Sequence, residues 1–219
     1  MLKDIQLIIY DLDGTLIDST EAIVSTFNNV LCELGEPKQP AETITEMIGL
    51  PLTEMFKLSI PSSKHQLISW AWNRYAELYG EVAPRSTVLL PTVNETLRYF
   101  NEVGLKQSIA TTKRKDVALI LIEKLGIGRF FDLILGITDV AHPKPEPDII
   151  FMTLNRLNVH PSKAVFVEDT TIGLEAGKRA GVNTVAVTTG THDREKLHAA
   201  KPDYIIDRLE ELRSILDLN

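Results

Sequence analysis

Apolar positions fall into two regimes along this 219-residue chain. Residues 5–10 read Ile-Gln-Leu-Ile-Ile-Tyr and stop at Asp11-Leu-Asp-Gly-Thr. A short β-rich run bounded by Asp and Gly predicts a central parallel strand, buried on both faces. From about Glu21 to Gly80 the spacing turns helical. Ala22, Ile23, Phe27, Val30, Leu31 and Leu34 recur on one face, and Gly35 supplies a stop. Helical patterns follow over 45–58, interrupted by Pro51, and over 64–78, with Pro61-Ser-Ser between them. No strand-like run stands out in this stretch.

Beyond Pro91 the two patterns alternate. Helices are predicted over 93–103, 116–125, 148–157, 173–180 and 209–218. Strands are predicted over 107–110, 133–135, 164–167, 184–187 and 203–206. Strands alternating with helices of this length indicate βαβ units, hence a parallel sheet with right-handed crossovers. The architecture expected is α/β: a Rossmann-like core from residues 1–18 and 90–219, with a helical insert over 19–89.

Composition narrows the function classes. With 23 basic and 30 acidic side chains the formal charge is −7, and no basic stripe suits a nucleic acid backbone. At 44% hydrophobic and 24% charged the chain can bury a sizeable core. Its one cysteine, Cys32, excludes an internal disulfide and fits a reducing compartment. No segment approaches a membrane span, and the apolar N-terminal run is cut by Asp11 and Asp13 rather than ending as a leader. A soluble cytoplasmic protein is expected, monomeric or homodimeric, free of nucleic acid and membrane.

In an open parallel sheet, ligands sit beyond the carboxyl ends of the strands. After the first predicted strand stand Asp11 and Asp13. After the second come Thr111, Thr112 and Lys113. Lys144 lies in the proline-framed loop after the third, and Glu168-Asp169 follows the fourth. Carboxylates that share a hard cation, with a hydroxyl and an amine beside them, suit phosphoryl transfer. Asp11 is placed to attack phosphorus, and Asp13 to protonate the leaving oxygen and later activate water. Thr111 and Lys144 would hold phosphoryl oxygens, and Asp169 the metal.

Taken singly, these residues have plainer readings. Thr111 alone suits a helix cap, Lys144 a solvated loop, and Glu168-Asp169 the N-terminus of the next helix. Asp-x-Asp-Gly opens calcium loops too, but Gly14 comes too early for one. Gly173-Leu-Glu-Ala-Gly-Lys has the wrong spacing for a P-loop, and Arg179 replaces the required hydroxyl. Asp18 and Ser19 read as a capping hinge into the insert. Trp70, Trp72, Tyr75 and Tyr79 read as a packing set, and no role falls to the five histidines.

The four segments together and in order resemble the haloacid dehalogenase superfamily of phosphatases. They are Asp11-Leu-Asp-Gly-Thr, Ile109-Ala-Thr-Thr-Lys, Lys144-Pro-Glu-Pro-Asp and Val165-Phe-Val-Glu-Asp. The resemblance implies a nucleophilic Asp11 and an acid/base Asp13 whose main-chain carbonyl also binds Mg²⁺. It further implies phosphate contacts from Thr111, Thr112 and Lys144, metal ligation by Asp11 and Asp169, and a mobile helical cap. Ile48-Gly-Leu-Pro-Leu and Leu90-Pro-Thr-Val are similar to phosphoglycolate phosphatases and their pyrophosphatase relatives. Glu168, where those enzymes commonly carry Gly, is the form seen in β-phosphoglucomutases and several sugar-phosphate phosphatases, and implies an extra metal ligand. The substrate expected is a small phosphorylated metabolite, with Gly49, Arg74 and Lys113 as candidate specificity residues. A phosphosugar mutase is the alternative, and a non-enzymatic phospho-acceptor domain the distant one.

Overall fold

A computed structural model describes residues 1–217. The chain opens with a two-residue strand β1 (Leu2–Lys3) and then β2 (Leu7–Tyr10), every residue of which is buried. A tight turn leads to β3 (Ile17–Asp18) and into helices only: α1 (Thr20–Glu33), α2 (Ala41–Thr45), α3 (Leu52–Ser59) and α4 (Ile68–Ser86). β4 (Val88–Leu89) returns antiparallel to β3, so the insert is tied at its neck by a two-stranded ribbon. Then come α5 (Val93–Glu102), β5 (Lys106–Ala110), α6 (Lys115–Lys124), β6 (Leu133–Leu135), α7 (Asp148–Leu157) and β7 (Ala164–Glu168). The chain continues through α8 (Thr171–Ala180), β8 (Asn183–Val187), α9 (Arg194–Ala199), β9 (Tyr204–Ile206), α10 (Leu212–Ile215) and β10 (Leu216–Asp217).

Six strands form one sheet in the order β6-β5-β2-β7-β8-β9, every pair parallel. The α/β expectation therefore holds. β2 alternates its side chains between two cores. Ile8 and Tyr10 join Leu97, Phe100 and Val167 on one face, while Leu7 and Ile9 join Ile149, Leu154 and Ala176 on the other. A strand with helices over both faces has no polar side, which is why its sequence lacks alternation. From β2 the chain winds outward to β5 and β6; from β7 it winds the other way. The switch point lies between β2 and β7, and there an α/β sheet opens a crevice at its carboxyl end.

The insert is not a separate oil drop. Phe27 of α1 stacks on Phe56 of α3, with centroids 4.6 Å apart, and both belong to the same buried cluster as Tyr10 and Leu97. Three predicted elements need correction. The helix expected over 45–58 starts earlier, at Ala41. It breaks over residues 46–51, where Gly49 takes a positive φ of 104°, and resumes after Pro51. α4 runs on to Ser86, past Gly80 and with Pro84 in its last turn, because Tyr79 and Ala83 are fully buried. Packing outweighs the local cost of Gly and Pro there. The helix expected over 209–218 is a short 3₁₀ turn and α10, then β10 paired in parallel with β1. Leu218 lies outside the described residues. Among the described residues no helix is long and apolar enough to cross a membrane.

Candidate active site

Asp11 extends the ladder of β2 by one step, its N–H donating to Val167 O at 2.9 Å. That bond fixes where its carboxylate leaves the sheet. Leu12 turns back into the core, Asp13 emerges, and Gly14 adopts φ 78°. A Cβ at Gly14 would run into the Asp169 carboxylate and come 2.9 Å from Gly190 Cα, so both backbone and space require glycine here. The turn thus brings the β2 and β7 ends close together.

Lys144 reaches the same point from the loop after β6 and is only 3% exposed. Its ammonium donates to Asp11 Oδ1 at 2.6 Å and to Glu168 Oε2 at 2.7 Å. The other Glu168 oxygen accepts from the Asp169 and Thr170 N–H groups at 3.1 and 3.0 Å and from the Thr170 hydroxyl at 2.9 Å. Thr170, not either acid, caps α8, accepting from Gly173 N–H at 3.1 Å. A Cβ at Gly173 would collide with Glu168, so this glycine admits the carboxylate to the helix start rather than making a P-loop. Asp169 is held by the Thr15 hydroxyl at 3.1 Å and the Thr191 N–H at 3.2 Å.

Asp11, Glu168 and Asp169, all buried, each offer an oxygen within 4.8 Å of the others. Three carboxylates and one ammonium carry a formal charge of 1 − 3 = −2 when all are ionised. Buried charge of that size needs compensation, and clustered oxygen ligands suit a hard divalent cation. The residues fit the group. Burial first, and the Glu168 carboxylate after the opposing pull of Lys144, pushes the Asp11 carboxyl up to about 7. Burial, then Glu168 and Asp11, likewise raises Asp169 well above the usual carboxylate range. Lys144 is also buried, yet its two carboxylate partners overcome that and hold it charged.

Asp13 stands apart from this trio. Its carboxylate accepts from the Ser19 hydroxyl and pairs with Lys113 Nζ at 3.1 Å. The metal contact expected of Asp13 is through its main-chain carbonyl, and these side-chain bonds leave that atom out. Lys113 in turn donates to the Tyr79 hydroxyl of α4 at 3.0 Å, linking the acid to the insert. Burial disfavours the Lys113 charge, but Asp13 and Tyr79 more than restore it. Thr111 is buried at the end of β5, where its Oγ1 accepts from Lys113 N–H at 3.2 Å. Thr111, Thr112 and Lys144 border one small recess.

Between the insert and the strand ends lies a cavity bordered by Asp13, Gly49, Thr112 and Lys113, with Trp72, Tyr75 and Tyr79 on its insert side. Three of the four aromatic residues expected only to pack thus reach the site; Trp70 is 44% exposed. Gly49 also touches the core: a Cβ there would come 2.7 Å from Thr170 Cγ2. Arg74 is not brought in. Its guanidinium is spent on Glu33 at 2.8 and 3.0 Å and on Glu77 at 2.8 Å. Its exposed ion pairs contribute little. Arg74→Ala should therefore leave kcat/KM within about twofold of wild type, against the contact expected from sequence. A loss beyond tenfold in steady-state assays would return Arg74 to the site.

Several functional neighbours carried no local signal. Ser19, expected as a cap, holds Asp13 while α1 starts without a side-chain cap bond. Thr15 sat inside the quoted motif unassigned. Tyr79 and Thr191 meet the site only through the fold.

Comparison with known proteins adds to this geometry. The family model for haloacid dehalogenase-like hydrolases matches residues 8–187. A Dickeya dadantii protein named "Probable phosphatase IndB" is 35% identical over 94% of this chain and 91% of its own length. Pyrophosphatase PpaX of Bacillus velezensis is 33% identical over 97% of both chains. In structure, a haloacid dehalogenase-like family hydrolase of Streptococcus pneumoniae superposes with a TM-score of 0.86 at 29% identity, covering 97% of this chain and 98% of that one.

Proposed function

Because the chain belongs to the haloacid dehalogenase-like hydrolases, we propose that it hydrolyses small-molecule phosphate monoesters through an aspartyl-phosphate on Asp11, with Mg²⁺ as cofactor. One observation carries this reading. Three buried carboxylates cluster at the sheet's switch point, two of them, Asp11 and Glu168, bridged by Lys144, with a fourth, Asp13, beside them but outside the cluster.

Asp11, Glu168 and Asp169 would hold the ion, with the Asp13 main chain. Bound there, Mg²⁺ would screen the repulsion between carboxylate and phosphate and keep Asp11 ionised. In the first step an Asp11 oxygen bonds to phosphorus and the ester P–O bond breaks. The leaving oxygen takes its proton from Asp13. In the second step water attacks phosphorus, gives a proton to Asp13, and the Asp11 carboxylate departs. Lys144 and the hydroxyls of Thr111 and Thr112 would bind the transferring group, and Lys113, paired with Asp13 at 3.1 Å, would keep that acid in position.

Residues 19–89 we read as a cap over the core formed by 1–18 and 90–219. The two-strand neck of β3 and β4 supports that division. Such a cap excludes water and selects the leaving group. Phosphoglycolate, expected from the sequence resemblance, and pyrophosphate, from the relatives' name, head the substrates to be tested, with hexose phosphates and nucleotides after them. Phosphate release should require Mg²⁺ and stop on chelation. Mg²⁺ should also raise the melting temperature, and Asp169→Ala should abolish that rise. Undiminished turnover after exhaustive chelation would refute the cofactor. β-Glucose 1-phosphate converted to its isomer without phosphate release would favour the mutase.

A further inference from the structure

Two recesses flank Asp13, and they differ in chemistry. One is lined mainly by polar residues, among them Asp18, Ser19, Thr20, Thr189 and Thr191, and shares Ile23 and Ile48 with the other. In the other, Ile48, Leu50, Leu52 and Met55 of the insert face Val117 of α6. In the proposed scheme Asp13 protonates the leaving oxygen, so the group on that oxygen would extend into a recess beside Asp13, and the second one has the apolar and aromatic walls to receive it.

That recess has aromatic walls and no unpaired cation. Tyr75 and Tyr79 stack with centroids 5.3 Å apart, and Trp72 lies beside them. Two cations stand at the rim. Lys113 is shared between Asp13 and Tyr79. Arg114 forks onto Asp116 at 3.1 and 2.7 Å and lies over the Trp72 ring at 4.4 Å. A carboxylate or a second phosphoryl group would enter largely apolar surroundings. There it would have to share the two rim cations with the Asp13 and Asp116 carboxylates that already hold them, which is unfavourable for a buried charge. A neutral apolar group loses no such hydration and gains ring contacts.

We propose that this chain selects monoesters whose leaving group is neutral and apolar with a planar ring, the class of arylalkyl phosphates. The proposal rests on the hydrolase reading above and narrows its substrate away from phosphoglycolate and pyrophosphate. Benzyl phosphate and phosphoglycolate release alcohols of similar acidity, so their comparison reads recognition rather than leaving-group chemistry. With Mg²⁺ and the full chain, kcat/KM for benzyl phosphate should exceed those for phosphoglycolate and pyrophosphate by about tenfold or more. The reverse order would overturn the proposal. Trp72→Ala should shrink the benzyl-to-glycolate ratio by about tenfold, and an unchanged ratio would remove the ring from recognition. Binding separates this inference from its premise. In Trp70→Phe, which leaves Trp72 as the one indole, benzylphosphonate should quench fluorescence at concentrations about tenfold below phosphonoacetate. Tighter phosphonoacetate binding defeats the proposal. Tighter benzylphosphonate binding without turnover of any ester keeps it and defeats the hydrolase reading instead.

Discussion

Asp11→Asn is expected to abolish phosphate release while the fold survives. The amide keeps the shape and an oxygen to accept from Lys144, but it has no anionic oxygen to bond phosphorus. Loss of a covalent nucleophile lowers kcat by at least about 10³-fold. Stability should hold or rise slightly, because one of three crowded carboxylates becomes neutral while Lys144 keeps Glu168 at 2.7 Å. The complementary variant is Asp13→Asn. With an aryl phosphate, whose leaving group needs little protonation, the first step should proceed while activation of water fails. Mass spectrometry after a rapid quench should then find a phosphate adduct on the peptide bearing Asp11. Near-native turnover in Asp11→Asn, or an adduct on another residue, would remove the nucleophile from the scheme.

Lys144→Met should be the most destabilising single change at the site. It removes the ammonium that bridges Asp11 and Glu168 and leaves three buried carboxylates with no cation among them. Breaking a buried pair from one side costs about 3–5 kcal/mol. The sign of its pH dependence follows from Asp11. Its folded value near 7 lies above the unfolded 3.8, so the folded state holds more protons across that interval. Stability then falls as pH rises through the interval, and it falls further in the variant. Urea denaturation in chelator at about pH 5 and about pH 8 should show the deficit growing with pH, and Mg²⁺ should reverse part of it. A variant as stable as wild type at the higher pH would contradict the charge balance. Phosphate release should be lost under all these conditions, since in the proposed scheme Lys144 is the cation that meets the transferring group.

Much of this architecture could be read before any coordinates. β2, β5 and β7 stand within a residue or two of their predicted spans because continuous apolar runs flanked by Asp, Gly or Thr have few other uses. The motif residues emerged together because each follows a strand of one parallel sheet, and parallel strands deliver their ends to one edge. Failures cluster where local pattern and tertiary packing disagree. α4 outlasts Gly80 and Pro84 because Tyr79 and Ala83 are buried, a fact about neighbours rather than spacing. β10 reads as helix until it finds β1 at the opposite end of the chain. Arg74 looked available because sequence does not show that Glu33 lies across from it.

Residue order alone sets the chemical type: an acid at the mouth of the first strand, a second two residues on, a lysine between prolines, and paired acids at the end of a later strand. Covalent order and hydrophobic periodicity suffice for that, since both are properties of the chain alone. The fold decided how those groups divide. Gly14 and Gly173, lacking side chains, let Asp169 and Glu168 close around Asp11, while Lys113 and Ser19 draw Asp13 out of that cluster. It also set Tyr75, Tyr79 and Trp72 as walls and committed Arg114 to Asp116. Charge compensation and desolvation act through space over a few ångströms, and only folding sets which charges lie within that reach.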